Sequence, residues 1–190
     1  TEDRLEDAIE YQFIEKDCYK KGASDDFNTE RALETSRVIS FIEKTQSKLW
    51  LSLKGIHGSD TEKVILDDLC KTLETQGMLN VLRHGFKSYG KKLRVAYFIP
   101  STKLNPDTLA LYNANTLSVT RQLYFSSDNK KSLDMVLFLN GLPVITMELK
   151  NPLSRQTVED AKHQYKNDRD PKEKLFQFKK RALVHFAVDQ

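Results

Sequence analysis

Three charged residues interrupt the most apolar part of the chain. Asp134, Glu148 and Lys150 lie within the run SLDMVLFLNGLPVITMELKNP, residues 132–152. Burying a charge in a strand is costly unless the charge is paired, hydrogen-bonded or bound to a metal. Two acids and a base in such a run therefore predict one of two things: a structural ion pair, or a site that binds a cation and does chemistry.

The turn between the two strands of this run decides whether the two acids meet. A two-residue turn would pair Asp134 with Met147 and leave Asp134 and Glu148 on opposite faces of the sheet. A three- or five-residue turn would pair Asp134 with Glu148 on one face. Three-residue turns need a residue in the left-handed conformation, which Gly141 can supply. We expect an odd-length turn at 140–142, with the two carboxylates within metal-bridging distance.

The chemistry of such a set is that of phosphodiester cleavage. Residues two apart on a strand share a face, so Glu148 and Lys150 project together. Two adjacent carboxylates repel each other unless a cation lies between them, and Mg²⁺ is commonly held by one or two carboxylates, waters and a substrate phosphate. A metal-activated water attacks a phosphodiester, and an ammonium neutralises the developing charge. The alternative is an ion pair of Lys150 with Glu148 or Asp134.

The spacing of apolar residues along the chain predicts the helices and strands that position these residues. Apolar residues recur at helical spacing in LEDAIEYQFIEK, ERALETSRVISFIEKTQ and SDTEKVILDDLCKTLETQG, and the last helix is expected to stop at Gly77. From Met78 the pattern favours strands: NVLRHGF, LRVAYFIP, LSVTRQLYF, the hairpin, and a buried strand in ALVHFAVD. SRQTVEDAKHQYKND predicts one more helix. The predicted fold is α/β (α+β), with a mixed central sheet flanked by helices. Residues 1–77 form a helical N-terminal part and residues 78–190 the core.

The charge distribution favours a polyanionic partner for the second half of the chain. Residues 1–82 hold 11 Lys/Arg and 17 Asp/Glu, a net of −6, whereas residues 83–190 hold 19 and 10, a net of +9. GFKSYGKK approaches a phosphate-binding loop, but a lysine replaces the hydroxyl that would hold magnesium, so we interpret it as a basic hairpin turn. The candidate DNA contacts lie on this turn and in the basic segment 162–181: Lys87, Lys91, Lys92, Lys162, Lys166 and Arg169.

Composition and cysteine usage narrow the class of protein. Hydrophobic residues make up 39% and charged residues 30% of the chain, which is typical of a globular protein. The sequence contains no apolar run of about eighteen residues that could span a membrane. Cys18 and Cys70 have no metal-ligand spacing, so we expect free thiols in a reducing compartment, with a single disulfide as the alternative.

Several motifs together resemble one family. Asp134, thirteen residues and then Glu148-Leu149-Lys150 match the D…[DE]-x-K signature of restriction-endonuclease-like nucleases. The segments VLRHGFKSYG, YNANTLSVTRQLYFS and HQYKNDRDP around it resemble the N-terminal nuclease domain of the restriction subunit of type I restriction-modification enzymes. The resemblance runs nearly from end to end, and it implies a restriction-endonuclease-like core.

The resemblance also implies roles for individual residues. Asp134, Glu148 and the backbone carbonyl of Leu149 would hold Mg²⁺, with Mn²⁺ as a substitute, and Lys150 would be catalytic. The family carries an upstream helical glutamate near the metal, for which Glu6 is the best match.

Two of these assignments have open alternatives. The series Glu2, Glu6 and Glu10 could instead form a solvated helix face, and we favour that interpretation. The family motif Q-x-x-x-Y is matched at Gln164, but Asp168 replaces the tyrosine. Gln164 is therefore either a helper that positions Lys150 or DNA, or an ordinary polar helix residue.

The function implied is that of a type I site-specific deoxyribonuclease. It is the Mg²⁺-dependent, sequence-nonspecific cleavage of double-stranded DNA by the nuclease domain while the full complex translocates DNA. The family places ATP-dependent motor domains downstream, and we expect them to be missing from this piece of a longer protein. The implied partners are double-stranded DNA and the methylation and specificity subunits, in the cytoplasm of a bacterium or archaeon. The alternative is a nuclease-like DNA-binding or regulatory module without cleavage activity.

Overall fold

A computed structural model gives the fold. It describes residues 2–102, 104–126, 130–150, 158–163, 165, 170 and 172–188. The helices, in chain order, are α1 (Glu2–Tyr11), α2 (Thr35–Thr45), α3 (Ser47–His57), α4 (Thr61–Gln76), α5 (Met78–His84), α6 (Pro106–Asn113) and α7 (Val158–His163).

The strands form one mixed sheet and one small hairpin. They are β1 (Lys20–Lys21), β2 (Phe86–Ser88), β3 (Lys91–Leu93), β4 (Leu117–Tyr124), β5 (Ser132–Leu139), β6 (Leu142–Leu149) and β7 (Val184–Val188). The five-stranded sheet has the order β1-β4-β5-β6-β7. Its central pairs, β4–β5 and β5–β6, are antiparallel, and its outer strands β1 and β7 run parallel to their neighbours. This mixed α/β architecture confirms the predicted fold class.

The buried apolar residues that the structure describes pack into three clusters. One lies among helices α2 to α5 and the small hairpin, and includes Ile42, Leu53 and Leu69. The other two contain residues that alternate along β5: Val136 and Phe138 belong to one cluster, while Met135 and Leu137 belong to the other, together with Leu5 of α1. Since alternate residues of a strand face opposite sides of the sheet, the central strands are covered on both faces, and α1 lies on the side of Met135.

Residues 78–84 form helix α5, so the predicted strand in NVLRHGF is wrong. Met78, Val81 and Leu82 are buried, and their spacing of three and four residues is that of a helix face. Gly77 and Gly85 bound the helix with φ values of 81° and 74°, in the left-handed region that glycine tolerates. A short helix between two glycines resembles a strand when only its apolar content is considered.

The hairpin between β5 and β6 turns on two residues, so the predicted odd-length turn at 140–142 is wrong. Leu139 pairs with Leu142, and Asn140 and Gly141 both have positive φ, at 52° and 86°, as a two-residue hairpin turn requires. The odd residue lies one step later, in a β-bulge.

The bulge restores the register that the longer turn was expected to give. Phe138 pairs with Pro143 but Leu137 pairs with Ile145, which leaves Val144 as an extra residue on β6. The pairing then continues to Met135 and Met147. Asp134 and Glu148 are therefore the next residues on the two strands.

Three further predictions differ in outcome. The predicted strand in LRVAYFIP is wrong: only Leu93 lies in β3, and residues 94–100 form neither strand nor helix, although Val95 and Ala96 are buried in the cluster among the helices. GFKSYGKK forms the small β2–β3 hairpin around Tyr89 and Gly90, which confirms the basic hairpin turn. ALVHFAVD contains β7, but this strand lies at the sheet edge and residues 184–186 are exposed. The expectation of a buried strand was wrong because, in the part of the chain that the structure describes, β7 is an edge strand that pairs with β6 on one side.

Candidate active site

Asp134 is tied to the neighbouring strand by its side chain. The backbone N–H of Leu149 donates to Asp134 Oδ2 over 2.7 Å. A carboxylate that accepts a backbone N–H has one oxygen fixed in orientation. The structure thus brings together Asp134 and Leu149, two of the residues predicted to form the site.

Glu148 and Lys150 lie at the end of β6 and are both buried, with exposed fractions of 2% and 5%. Glu148 pairs with Ala187 of β7, and the N–H of Lys150 donates to the carbonyl of Val188 over 2.8 Å. The backbone of both residues is therefore held in or next to the sheet. The metal-bridging distance between the carboxylates of Asp134 and Glu148 stays a prediction.

Glu6 is buried, contrary to the favoured interpretation of a solvated helix face. Only 3% of it is exposed. Its Oε2 accepts from Arg121 Nε over 2.9 Å, and its Oε1 accepts from Gln122 Nε2 over 2.8 Å. Burial raises the pKa of the Glu6 carboxyl above its ordinary value. Arg121 opposes this rise, and the nearby charge of Asp134 adds to it. Glu10 is buried as well, at 8% exposed, because α1 turns this acidic face toward β4.

Arg121 forms ion pairs with three acids of α1, Glu6, Asp7 and Glu10. Besides its bond to Glu6, its Nη1 lies 2.6 Å from Asp7 Oδ1 and 3.5 Å from Glu10 Oε2. Lys21 adds a further ion pair to Glu10 at 3.0 Å. A buried carboxylate is stable only with such partners. Arg121 shares an alternating series with the apolar residues Leu117, Val119 and Leu123, and a charge in that series was the sequence signal for this network.

Gln122 is a residue that the sequence interpretation missed. Its φ of 46° is uncommon for a residue other than glycine. Next to it the strand changes faces: Val119 belongs to the cluster with Met135, whereas Leu123 belongs to the cluster on the opposite face. This places the side chain of Gln122 beside Glu6 and Asp134, where its Nε2 lies 3.5 Å from Asp134 Oδ1. Nothing in the residue types around Gln122 predicts this conformation.

The predicted residues outside this cluster have different outcomes. Lys87 and Lys92 are exposed on the small hairpin and Lys91 is half-buried. Lys162 is half-exposed on α7 and pairs with Glu159. Gln164, Lys166 and Arg169 lie outside the described residues.

Three further observations on the described part of the chain concern metal ligands, cysteines and membrane-spanning helices. Within it, no group of three His, Cys, Asp or Glu side chains is arranged to hold a metal ion. Both cysteines are free thiols, as expected. No helix there has the length and apolar character needed to cross a membrane.

Comparison with known proteins identifies the family. The sequence model of the family described as type I restriction enzyme R protein N terminus matches residues 27–190 of this chain. The chain belongs to this family. This confirms the resemblance, and the mixed sheet with its flanking helices is consistent with a restriction-endonuclease-like core.

One curated relative, from Methanocaldococcus jannaschii, is named "Putative type I restriction enzyme MjaIXP endonuclease subunit". It is 29% identical over 113 residues, which is 59% of this chain but 10% of the relative. The chain thus matches a small part of a much longer protein. No solved structure matches the chain significantly.

Proposed function

We propose that this domain cuts double-stranded DNA in a Mg²⁺-dependent reaction, as the nuclease part of a type I restriction enzyme R subunit. The family membership supports a nuclease-related role. The observation that carries the proposal is the hydrogen bond from the Leu149 N–H to Asp134. This bond ties Asp134 to the strand end that carries buried Glu148 and Lys150.

The donor set suits Mg²⁺. Asp134 Oδ2 accepts from the Leu149 N–H, and within the described residues the contact of its Oδ1 is a long one, 3.5 Å from Gln122 Nε2. Asp134, Glu148 and the carbonyl of Leu149 would hold the ion as hard oxygen ligands. Waters and a DNA phosphate would complete the shell, as is usual for Mg²⁺. Such a cation, when bound, supplies Lewis-acid activation of the attacking water and of the scissile phosphate.

The chain's own groups supply orientation and charge. The Leu149 N–H fixes Asp134, so that the carboxylate does not need to reorient during reaction. Lys150 has its backbone fixed by Val188. Lys150 as a whole is 5% exposed, so little water surrounds its side chain. A positive charge in such a place acts strongly on a developing negative charge. We therefore assign to Lys150 the neutralisation of the phosphate in the transition state.

The test is plasmid cleavage by the complete enzyme carrying Lys150→Ala or Asp134→Ala, with Lys48→Ala on the exposed side of α3 as the control. We expect each site variant to lose cleavage by about 100-fold or more, the scale of removing one transition-state donor. Calorimetry with Mn²⁺ separates the two causes. Asp134→Ala should lose cation binding, whereas Lys150→Ala should keep or improve it, because a nearby positive charge is gone.

Two results would contradict this assignment. A Lys150→Ala enzyme that cuts DNA at the wild-type rate would refute the catalytic role. A Lys150→Ala enzyme that fails mainly by unfolding would indicate a structural ion pair, since removing one partner leaves a buried acid unpaired. Tight DNA binding without any cleavage in Mg²⁺ or Mn²⁺ would favour the alternative function, a DNA-binding module.

We further propose that basic residues outside the site bind the DNA backbone. Lys87, Lys91 and Lys92 lie on the small hairpin and Lys162 on α7, and the sequence adds Lys166 and Arg169. Each phosphate contact that is lost should lower the salt dependence of binding by about one unit of slope. Fluorescence anisotropy of labelled duplex DNA at several salt concentrations measures this, with Lys48→Ala as the matched control. An unchanged slope would leave docking against another domain as the use of this surface.

A further inference from the structure

Gln122 lies where β4 departs from regular pairing. Arg121 pairs with Met135 and Leu123 pairs with Leu133, and the residues between them are Gln122 and Asp134. The φ of Gln122 is 46°, a conformation that residues with a side chain rarely adopt. Strained backbone persists only where surrounding contacts enforce it, and it is concentrated at functional sites. Among the described residues, five others besides glycine also have a positive φ, one of them Cys18, so it is the contacts of the Gln122 side chain that single out this position.

The orientation of the Gln122 amide follows from its two carboxylate neighbours, since the Ser132 hydroxyl could either donate to the amide oxygen or accept from the amide nitrogen. The Nε2 end must face the two carboxylates, which accept hydrogen bonds but cannot donate them when ionised. The Ser132 hydroxyl then donates to Gln122 Oε1 over 2.9 Å. Nε2 donates to Glu6 Oε1 over 2.8 Å and makes the longer 3.5 Å contact with Asp134 Oδ1. A primary amide has two N–H bonds, one for each acid.

This arrangement restrains both oxygens of two acids. The oxygens of Asp134 face the Leu149 N–H and the Gln122 amide. The oxygens of Glu6 face Arg121 and the same amide. Glu6 therefore has no oxygen without a donor, whereas the long contact leaves Asp134 Oδ1 easily available to another ligand. The amide orients Asp134, and Glu6 anchors the amide.

We propose that Gln122 is a positioning residue, which presents Asp134 Oδ1 to a divalent cation, and that Glu6 acts on Asp134 through Gln122. This inference rests on the proposed function, because it needs a cation to bind at Asp134. Gln122 is exposed, so its amide can move slightly as the cation and a DNA phosphate arrive.

The experiment separates the side chain from the backbone strain. Gln122→Gly removes the amide and also relieves the positive φ, so a purely structural role predicts no loss of stability. Cys18→Gly is the matched control, because Cys18 is also exposed and has a φ of 59°. Calcium binding to each protein is measured by calorimetry without DNA, and thermal unfolding is recorded on the same samples. Asp134→Asn shows which binding event belongs to the site.

We expect Gln122→Gly to weaken Ca²⁺ binding about tenfold, the scale found for groups that orient metal ligands, while its melting temperature stays at or above that of the wild type. Gln122→Asn keeps an amide and tolerates the backbone conformation, but it is one methylene shorter and should weaken binding as well. Glu6→Gln combined with Gln122→Gly should weaken binding no further than Gln122→Gly alone.

The outcomes are distinguishable. Equal or tighter Ca²⁺ binding by Gln122→Gly would overturn the positioning role and leave the proposed function standing. The same loss in Cys18→Gly would also overturn it, because the effect would then come from backbone flexibility. A wild-type protein that binds no Ca²⁺, Mg²⁺ or Mn²⁺ at Asp134 would overturn the proposed function, and the role of Gln122 with it.

Discussion

Two buried glutamates pack against the same strand, β4, and they differ in their neighbours. Glu34 is 1% exposed and Glu6 is 3% exposed. Each has an arginine beside it: Arg37 Nε lies 3.0 Å from Glu34, and Arg121 Nε lies 2.9 Å from Glu6. Burial raises the pKa of both carboxyls, and the arginine in each pair opposes that rise.

The difference lies in what else surrounds each acid. Glu34 accepts hydrogen bonds at 3.3 Å from the hydroxyls of Ser118 and Thr120, and its backbone N–H donates to the carbonyl of Gly141 at the β5–β6 turn. Glu6 instead shares a glutamine amide with a second carboxylate, that of Asp134. Burial of a glutamate with a raised pKa therefore does not identify a site. What distinguishes Glu6 is that the donor it shares, the Gln122 amide, also contacts Asp134, one of the predicted metal ligands.

The largest expected effect comes from removing each arginine. Arg121 serves Glu6, Asp7 and Glu10, so Arg121→Met leaves two buried acids short of a partner. We expect a loss of about 3 kcal/mol in the free energy of unfolding, the scale of breaking a buried ion pair. Arg37→Met should cost about 1 kcal/mol, because Glu34 keeps its two hydroxyl donors.

Urea unfolding at neutral pH measures both losses. Equal losses for the two variants would show that the network around Arg121 is no more important to stability than the single pair at Arg37. Arg121→Lys is the matched control, since it keeps the charge but cannot reach several acids with a planar fork. An intermediate loss is expected for it.

A smaller effect concerns cation binding. Glu6→Gln disturbs the anchor of the Gln122 amide, so Ca²⁺ affinity should fall about tenfold or less. Glu34→Gln should leave Ca²⁺ affinity unchanged, because its carboxylate contacts hydroxyls rather than Asp134. Calorimetry of the two variants makes the comparison at constant side-chain size. Equal Ca²⁺ affinities of the two variants would show that Glu6 and Glu34 do not differ in their effect on cation binding.

The smallest effect is on the pH dependence of stability. Burial raises the pKa of Glu34 above its ordinary value of 4.5, so in the window between the two values the folded chain holds a proton that the unfolded chain has released. Stability should therefore be highest below the unfolded pKa and should fall as the pH rises through the folded pKa. Glu34→Gln removes this contribution to the pH dependence of stability. Melting temperatures from pH 4 to pH 8 should fall less steeply for the variant. A steeper fall would contradict the sign.

Much of the fold follows from the hydrophobic period alone. Helices α1, α2 and α4 and the β5–β6 hairpin are where their patterns place them. Helix α5 was misread because seven residues between two glycines are too few to show a helical period. The boundary at residue 77 between a helical part and a core stays a prediction.

The site was less predictable than the fold. Asp134, Glu148 and Lys150 stand out in the sequence because charges are rare in apolar strands, and the bond from Leu149 to Asp134 joins two of the predicted partners. The burial of Glu6 was missed because a glutamate series on a helix has the same pattern whether it faces water or an arginine. Gln122 could not be found, since its role depends on one backbone angle.

The bulge at Val144 has a consequence for how this family's hairpin can change length. Thirteen residues separate Asp134 from Glu148. They are five paired residues on each strand, the two-residue turn and Val144 as one extra residue. A deletion of Val144 would remove the bulge and leave Asp134 opposite Glu148, because Ile145 would then follow Pro143 directly and still pair with Leu137. A single insertion or deletion here can therefore be absorbed by the gain or loss of a bulge, with the pairing of the two acids unchanged. Relatives in which this spacing differs by one should have gained or lost a bulge. A one-residue gap in a sequence alignment of the hairpin would then mark the position of that bulge.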